Sequence, residues 1–438
     1  MKTDRVKYLI IGNSAGGIGA AEAISEVGKT GTITIISAEP YPAYSRPLIS
    51  EYLAERCPLE RMLFRPEDFY RVKNINTMLG QEVTELNINK HSVNLSDGTT
   101  IFWEKLLLAT GGSPTIPGIN GIDLKGVFSF TTLDDAKAID QFLSHHLGKI
   151  TAVVIGGGLI GVSVTEALVK RGVKVSIVEM KERLLNVILD EELSAREEDT
   201  LTRAGVEIIT GHTIEKVSSY PPGEVNGVIL DDGRQIQCEM VIVAIGVRPR
   251  LNLIAGTAIK TNRGIVVDRH MATSCPDVYA CGDTAEAYDF IYNETRLTPI
   301  WPNAYIGGRV AGFNMAGVTS EYPGGTAMNA MKYFGENIVS AGIVAPPDAS
   351  YEVISKKNGH NYRKVILKDG LIVGLVFGNN IEMSGIIYNL MKDRVNVTAF
   401  QDTLISDDFG LASLPEDFWR EKITAPASVL ASVERSAK

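Results

Sequence analysis

Two stretches decide the fold: Tyr8-Leu9-Ile10-Ile11-Gly12-Asn13-Ser14-Ala15-Gly16-Gly17-Ile18-Gly19-Ala20-Ala21 and, far downstream, Ala152-Val153-Val154-Ile155-Gly156-Gly157-Gly158-Leu159-Ile160-Gly161. Each is an unbroken apolar run, the pattern of a parallel strand covered on both faces, that turns through glycines into a run with helical character. The first N–H groups of a helix lack intrahelical partners, and with the helix dipole they favour an anion such as pyrophosphate. Glycine permits the turn, the close approach of phosphate and the packing of helix on strand. Gly156, Gly158 and Gly161 fill all three glycine positions of the second copy. In the first, Gly12 and Gly17 fill the outer two and Ser14 stands at the middle one, where its hydroxyl could donate to phosphate.

Both copies continue into a second apolar run that ends on a carboxylate. Thr32 to Ile36 is followed by Glu39, and Val173 to Val178 by Glu179. A carboxylate there can accept from ribose hydroxyls. The charge of Glu179 would repel the extra phosphate of NADP, with Lys181 and Arg183 near enough to soften the effect, so NAD(H) is expected over NADP(H). Two such sites in one chain predict two dinucleotides and electron transfer between them.

The remaining composition narrows the class. The 438 residues allow two or three domains, 45% apolar content supports large cores, and 22% charged residues is ordinary for a globular enzyme. A net charge of −9 without a basic tract argues against nucleic acid. No stretch approaches the ~20 apolar residues that span a bilayer, and an N-terminus that enters a strand at once leaves no room for a signal peptide. Cys57, Cys238, Cys275 and Cys281 form no Cys-x-x-Cys pair, which suggests neither a zinc site nor a redox disulfide and points to a reducing cytoplasm. The histidines His91, His212, His270 and His360 are scattered without ligand spacing, and His145 and His146 read as an exposed helix end.

The second unit repeats the first: glycine turn, acidic strand end, hairpin (Asp97-Gly98, then Asp232-Gly233), buried strand (Lys105 to Ala109, then Met240 to Ile245) and a further glycine turn. Pro114 and Pro117 suggest a crossover between units. Asp277 to Thr284, a short apolar strand ending in Gly-Asp, suggests the chain's return to the first. From about residue 325, strand patterns around Asp369-Gly370 and a helical period over Met383 to Met391 read as an α+β domain. The fold expected is α/β: two Rossmann-like doubly wound domains, the second inserted into the first, plus a C-terminal α+β domain.

In order along the chain, the first fingerprint, Leu108-Ala109-Thr110-Gly111, the second fingerprint, Ala244-Ile245-Gly246-Val247-Arg248-Pro249 and Ala280-Cys281-Gly282-Asp283 make the chain resemble the two-dinucleotide flavoprotein reductases of the pyridine nucleotide–disulfide oxidoreductase superfamily. The resemblance implies an FAD-binding domain over 1–118 and 246–325, an NAD(H)-binding domain over 119–245, and an interface domain over 326–438 that makes a homodimer. It implies cofactor contacts by Gly12, Ser14, Gly16, Gly17, Glu39, Arg46, Thr110, Gly111, Asp283, Asn303, Gly156, Gly158, Ile160, Gly161, Glu179 and Gly246. Pro302-Asn303-Ala304 resembles the stretch that approaches the flavin ahead of the last helix of the FAD domain. No catalytic acid or base and no metal is expected, because hydride transfer from NADH to flavin needs neither.

The family pattern is broken at one place. Disulfide-reducing members carry Cys-x4-Cys beside the flavin, and related oxidases a single cysteine, where this chain has Tyr44-Ser45-Arg46-Pro47-Leu48-Ile49-Ser50-Glu51. Cys57 comes later and reads as a small buried apolar residue. The Ser-Arg-Pro string resembles the ferredoxin- and rubredoxin-reductase branch and the NADH-binding part of nitrite reductases. That branch pairs a lysine near the flavin with a glutamate on the second fingerprint helix; Glu51 and Ser163 stand at those positions here, which implies a lower flavin potential. The expected function is transfer of electrons between NADH and FAD, to or from a small iron–sulfur or rubredoxin-type carrier. A peroxide-forming NADH oxidase and a non-catalytic NADH-sensing interaction flavoprotein are the alternatives.

Overall fold

Four apolar runs, Tyr8–Ile11, Ile33–Ile36, Leu106–Leu108 and Val278–Ala280, lie side by side and parallel in a computed structural model that describes residues 3–28, 31–146, 148–220 and 223–415. The order of the first sheet is Ile75–Leu79, Ile33–Ser37, Thr3–Ile11, Thr100–Leu108, Ser92–Leu95, Val83–Asn87. The strand Thr100–Leu108 changes partner along its length. Thr100–Phe102 pairs antiparallel with Ser92–Asn94, closing the hairpin at Asp97-Gly98, and Leu106–Leu108 pairs parallel with Val278–Ala280. The last strand arrives after a whole second sheet has been laid down.

That second sheet is fully parallel, in the order Glu207–Thr210, Lys174–Glu179, Thr151–Ile155, Met240–Val243, Val127–Ser129. A small antiparallel sheet, Ile214–Ser219, Val225–Leu230 and Gln235–Ile236, stands beside it. The chain passes between the two large sheets twice. The crossing strands Gly112–Pro114 and Val247–Pro249 pair antiparallel, and N–H groups of Thr115 and Arg250 extend the ladder to the carbonyls of Gly246 and Gly111.

Parallel strands buried on both faces need helices on each side. Ala15–Val27 packs on Trp301–Met315 so closely that a Cβ on Gly308 would lie 2.0 Å from the Gly16 carbonyl oxygen, and one on Gly312 2.4 Å from that of Ala20. The low side chains on both helices exist for this approach. Burial of Leu9, Ile10, Ile35, Ile36, Leu106 and Leu107 at 0% exposure marks the core under the first sheet.

The chain forms two compact units: residues 1–187 with 194–327, which hold both parallel sheets, and residues 188–193 with the chain from Met328 on. The second has a five-stranded antiparallel sheet, Met328–Tyr333, Glu336–Gly342, Leu371–Gly378, Asn361–Lys368, Glu352–Asn358, and the helix Ser384–Lys392. In it the carboxylate of Asp190 is buried against the Tyr362 hydroxyl (2.7 Å) and the Lys364 ammonium (3.0 Å). Residues 416–438 of the expected interface domain lie outside the described residues. Among the described residues no helix is long and apolar enough to cross a membrane.

Candidate dinucleotide sites

The two glycine turns have the same construction at the carboxyl ends of their sheets, where open α/β sheets bind ligands. Gly12 continues the strand ladder by donating to the Ile36 carbonyl (2.8 Å), and Gly156 does the same to Val178 (2.8 Å). Both then turn at positive φ, +122° and +105°. A Cβ on Gly12 would meet the Ala109 carbonyl oxygen at 2.1 Å, and one on Gly156 the Ala244 oxygen at 2.6 Å. One turn later a Cβ on Gly17 or Gly161 would lie 1.9 Å from the carbonyl oxygen of Gly12 or Gly156. These positions exclude any side chain.

The middle position differs. Among the described residues nothing lies within 4 Å of a Cβ built on Gly158, which opens the space in front of the first N–H groups of the helix Leu159–Lys170. Ser14 occupies the corresponding place before Ala15–Val27, and its side chain makes no capping bond, leaving the hydroxyl free to turn outward. Open space bounded by helix N–H donors fits a pyrophosphate in both copies.

The strand-end carboxylates are held in different ways. Glu179 accepts from the N–H groups of Gly157 (2.6 Å) and Lys181 (2.8 Å), so its own turn fixes both oxygens. Arg183 is committed elsewhere, donating to the Ser194 hydroxyl and the Asn186 carbonyl, which leaves a 2′-phosphate one cation fewer beside Glu179. Glu39 is held by side chains. The Tyr44 hydroxyl donates to it (2.6 Å) and Arg46 pairs with it. Burial pushes the Tyr44 phenol up, which keeps it a donor. Asn13 fixes the loop above the first turn through the Tyr41 carbonyl (3.2 Å) and the Tyr70 hydroxyl (2.8 Å).

The remaining expected residues gather at the first sheet. Cys281 donates its N–H to Leu108 at the end of the last strand, and Gly282–Thr284 begins a short 3-10 turn there. Burial raises the Asp283 carboxyl above its ordinary value and the charge of Arg46 works against the rise. Thr110 and Thr284 both donate to the Arg250 carbonyl (3.3 Å each), which joins Thr110-Gly111 to the Gly282–Thr284 turn through the crossing ladder. Gly111 and Gly246 flank that ladder at positive φ, +68° and +106°. Asn303 donates to the Thr326 carbonyl (3.2 Å), and Ile160 lies in the first turn of Leu159–Lys170. The helix Ile49–Leu53, which carries Glu51, packs on Leu159–Lys170, which carries Ser163.

Three expectations change in detail. Pro302-Asn303-Ala304 is the first turn of the helix Trp301–Met315 and does not precede it; proline at this position loses an N–H that had no partner in any case. Cys57 is half-buried, with its sulfur 3.7 Å from the Pro58 carbonyl oxygen, because the helix before it ends at Leu53 and the chain turns out to the surface. His212 is not isolated. The ladder between Ile214–Ser219 and Val225–Leu230 carries it to Asp231 (2.9 Å) and Asp232 (3.7 Å), but all three are at least partly exposed and Arg234 already neutralises Asp232.

Sequence reading passed over Tyr44, although it stands two residues before Arg46. It also passed over Cys281 as a neighbour of the first turn, where a Cβ on Gly16 would lie 2.7 Å from its sulfur. Burial pushes the Cys281 thiol up to about 12, so it stays protonated and unreactive at neutral pH.

Comparisons with known proteins agree with this geometry. The family described as pyridine nucleotide-disulphide oxidoreductase matches residues 6–308, and the rubredoxin NAD+ reductase C-terminal domain matches residues 328–395. The NADH-dependent phenylglyoxylate dehydrogenase subunit epsilon of Aromatoleum evansii is 30% identical over 423 residues, covering 95% of this chain and 99% of that protein. The NADH-rubredoxin oxidoreductase of Clostridium acetobutylicum is 32% identical over 338 residues, covering 77% and 82%. A crystal structure of the NADH:rubredoxin oxidoreductase from the same organism superposes with a TM-score of 0.73 at 27% identity, covering 94% and 99% of the two chains. With two dinucleotide cradles in one unit and a family match over most of its length, the chain belongs to the pyridine nucleotide-disulphide oxidoreductase family and is an FAD-dependent NAD(P)H oxidoreductase.

Proposed function

We propose that the protein moves electrons between NADH and a small iron–sulfur or rubredoxin-type protein, with FAD held over 1–118 and 246–325 and NAD(H) over 119–245. The observation that carries the choice of acceptor is the segment Tyr44–Cys57. It runs from the first cradle to the helix of the second, and the place where a disulfide relay would stand is filled by Tyr44, Arg46 and Glu51. Cys57 lies past the helix, half-buried, and Cys281 is a protonated, buried thiol. Electrons therefore have no thiol route out of this site, and a metal centre on another protein is the acceptor or donor that fits. The similarity to a subunit of an NADH-dependent dehydrogenase and to a rubredoxin reductase supports this reading.

Bound FAD and NADH supply the hydride and electron chemistry. The chain supplies placement. The helix N-termini at Ser14 and Gly158 receive the pyrophosphates. Glu39 and Glu179 keep free lone pairs for ribose hydroxyls while side chains or backbone fix their positions. Asp283 and Arg46 bring one negative and one positive charge to the first cradle, and Thr110, Gly111 and Gly246 line the passage between the sheets. Glu179 and the committed Arg183 favour NADH over NADPH. The residues from 326 on form a homodimer contact, and the protein works in the cytoplasm.

The test is anaerobic. NADH should bleach the yellow protein, and mixing the reduced form with an oxidised [2Fe–2S] ferredoxin or rubredoxin in stopped flow should restore the colour faster than mixing with oxygen. Rapid oxygen consumption with peroxide release and no carrier reduction would sink the carrier reading in favour of an oxidase. Slow turnover with a change of oligomeric state on NADH binding would favour a sensor.

A further inference from the structure

The two cradles are joined by a brace that starts from the residues holding Glu39 in the first. At its first-cradle end, Tyr44 and Arg46 hold Glu39 and also bind the chain leading into the helix Leu133–His145. The Leu133 N–H donates to the Tyr44 hydroxyl (3.0 Å), and Arg46 donates to the Thr131 carbonyl (2.9 Å). At the other end the helix Ile49–Leu53 packs against both Leu133–His145 and the second-cradle helix Leu159–Lys170. Arg171, the residue that closes that cradle helix, fastens the three together. Its guanidinium donates to the Leu53 carbonyl (2.9 Å) and to Asp140 (2.8 Å), and lies 3.1 Å from the Glu55 carboxylate.

This is more than the end of a helix. The backbone N–H of Arg171 already closes on the preceding turn, and its side chain leaves its own helix to serve two others. The side chain is 14% exposed and Leu53 is fully buried. Glu55, at φ 57°, adopts the left-handed conformation that non-glycine residues visit rarely. The cationic donor makes all three contacts charge-assisted, two of them to carboxylates, and the planar fork matches partners in different directions in a way that an ammonium cannot. The exposed Glu55 contributes least.

We propose that Arg171 is a positioning residue for electron transfer between the nicotinamide and the flavin: through Leu53 and Asp140 it fixes the second-cradle helix against the brace anchored on Glu39, and so sets the separation of the two bound rings. The inference rests on the assignment of the two cradles to FAD and NAD(H). Reactions between held partners are steep in geometry, and a displacement of ~1 Å is worth about a hundredfold in rate.

The experiment uses the FAD-loaded full chain and Arg171→Ala, Arg171→Lys and Asp140→Asn. In stopped flow at saturating NADH, the limiting rate of flavin bleaching should fall about tenfold or more in Arg171→Ala, with smaller losses in the other two variants. The NADH dissociation constant should change less than about threefold, and FAD should be retained. The long-wavelength charge-transfer absorbance between reduced flavin and NAD+ should weaken in parallel, and added guanidinium ion at low concentration should restore part of both signals in Arg171→Ala. If Arg171→Ala does not fold, Arg171→Lys and Asp140→Asn carry the same readouts. A folded variant set with a lower melting temperature but unchanged limiting rate and charge-transfer absorbance would overturn the proposal, as would a loss confined to NADH affinity. A wild-type protein that NADH cannot bleach would overturn the cofactor assignment instead.

Discussion

In both cradles a Cβ on either outer glycine would lie between 1.9 and 2.6 Å from a backbone oxygen, yet the surroundings of the two turns differ. In the first, the helix is pressed against Trp301–Met315 through Gly16, Gly308 and Gly312, the strand-end acid is gripped by Tyr44 and Arg46, and the middle position is a serine. In the second, the middle position is Gly158 facing open space among the described residues, and the acid is held by N–H groups of its own turn. The first cradle's strand-end acid is held by side chains from elsewhere in the chain, and the second's by its own turn. The first suits a resident cofactor whose binding orders its surroundings. The second suits a visitor that enters and leaves without disturbing the fold.

The sharpest test of that contrast adds the same methyl group to each. Gly17→Ala and Gly161→Ala place a Cβ 1.9 Å from a backbone oxygen in both cases, a clash worth about 3 kcal/mol. Gly17→Ala should yield a destabilised, colourless protein, whereas Gly161→Ala should remain yellow and resist bleaching by NADH. Absorbance at the flavin band and thermal melting read both; the reverse pattern would exchange the two assignments.

A gentler pair probes the middle position. Gly158→Ala meets nothing among the described residues, so its melting temperature should not move. A methyl in the pyrophosphate space should weaken NADH binding tenfold or more, about 1.4 kcal/mol, measured by titration of the holoprotein. Ser14→Ala removes only a hydroxyl, and FAD affinity should drop by about 0.5–1.5 kcal/mol. Equal losses at the two sites would mean that Ser14 and Gly158 do the same job.

Charge is the next distinction. Glu179→Gln removes the repulsion of a 2′-phosphate, and the preference for NADH over NADPH in kcat/KM should narrow by about tenfold, or about 1.4 kcal/mol. The smallest effect concerns Asp283. Burial raises its carboxyl in the folded state, so between the ordinary carboxylate pKa and the raised one the folded chain binds more protons than the unfolded chain, and stability falls as pH rises. Asp283→Asn should therefore melt higher than wild type as apoprotein at pH 7, and the gap should close as pH approaches 4. An unchanged gap across that range would show that the carboxylate is not the group responsible.

Much of this was legible along the chain. The apolar runs and glycines at 8–21 and 152–161 locate an interior strand of each sheet and both turns, because a buried parallel strand and a phosphate-sized turn each restrict residue type at every position. Glu39 and Glu179 follow from spacing. What each carboxylate is bonded to does not follow, since Tyr44 and Arg46 reach Glu39 by a loop conformation that no local periodicity encodes. The resemblance sets Pro302 ahead of the last helix of the FAD domain, yet proline serves equally well inside the first turn, where its missing N–H has no partner.

The sequence by itself determined that this protein holds two dinucleotides, because excluding a side chain from a tight turn leaves a mark in the identity of single residues. Only the tertiary structure decided which cysteine lies beside the first cradle, that burial silences it, and that Arg171 ties one cradle to the other. Those facts depend on residues brought together from distant parts of the chain, and a guanidinium whose partners stand at positions 53, 55 and 140 carries no signature where it is written.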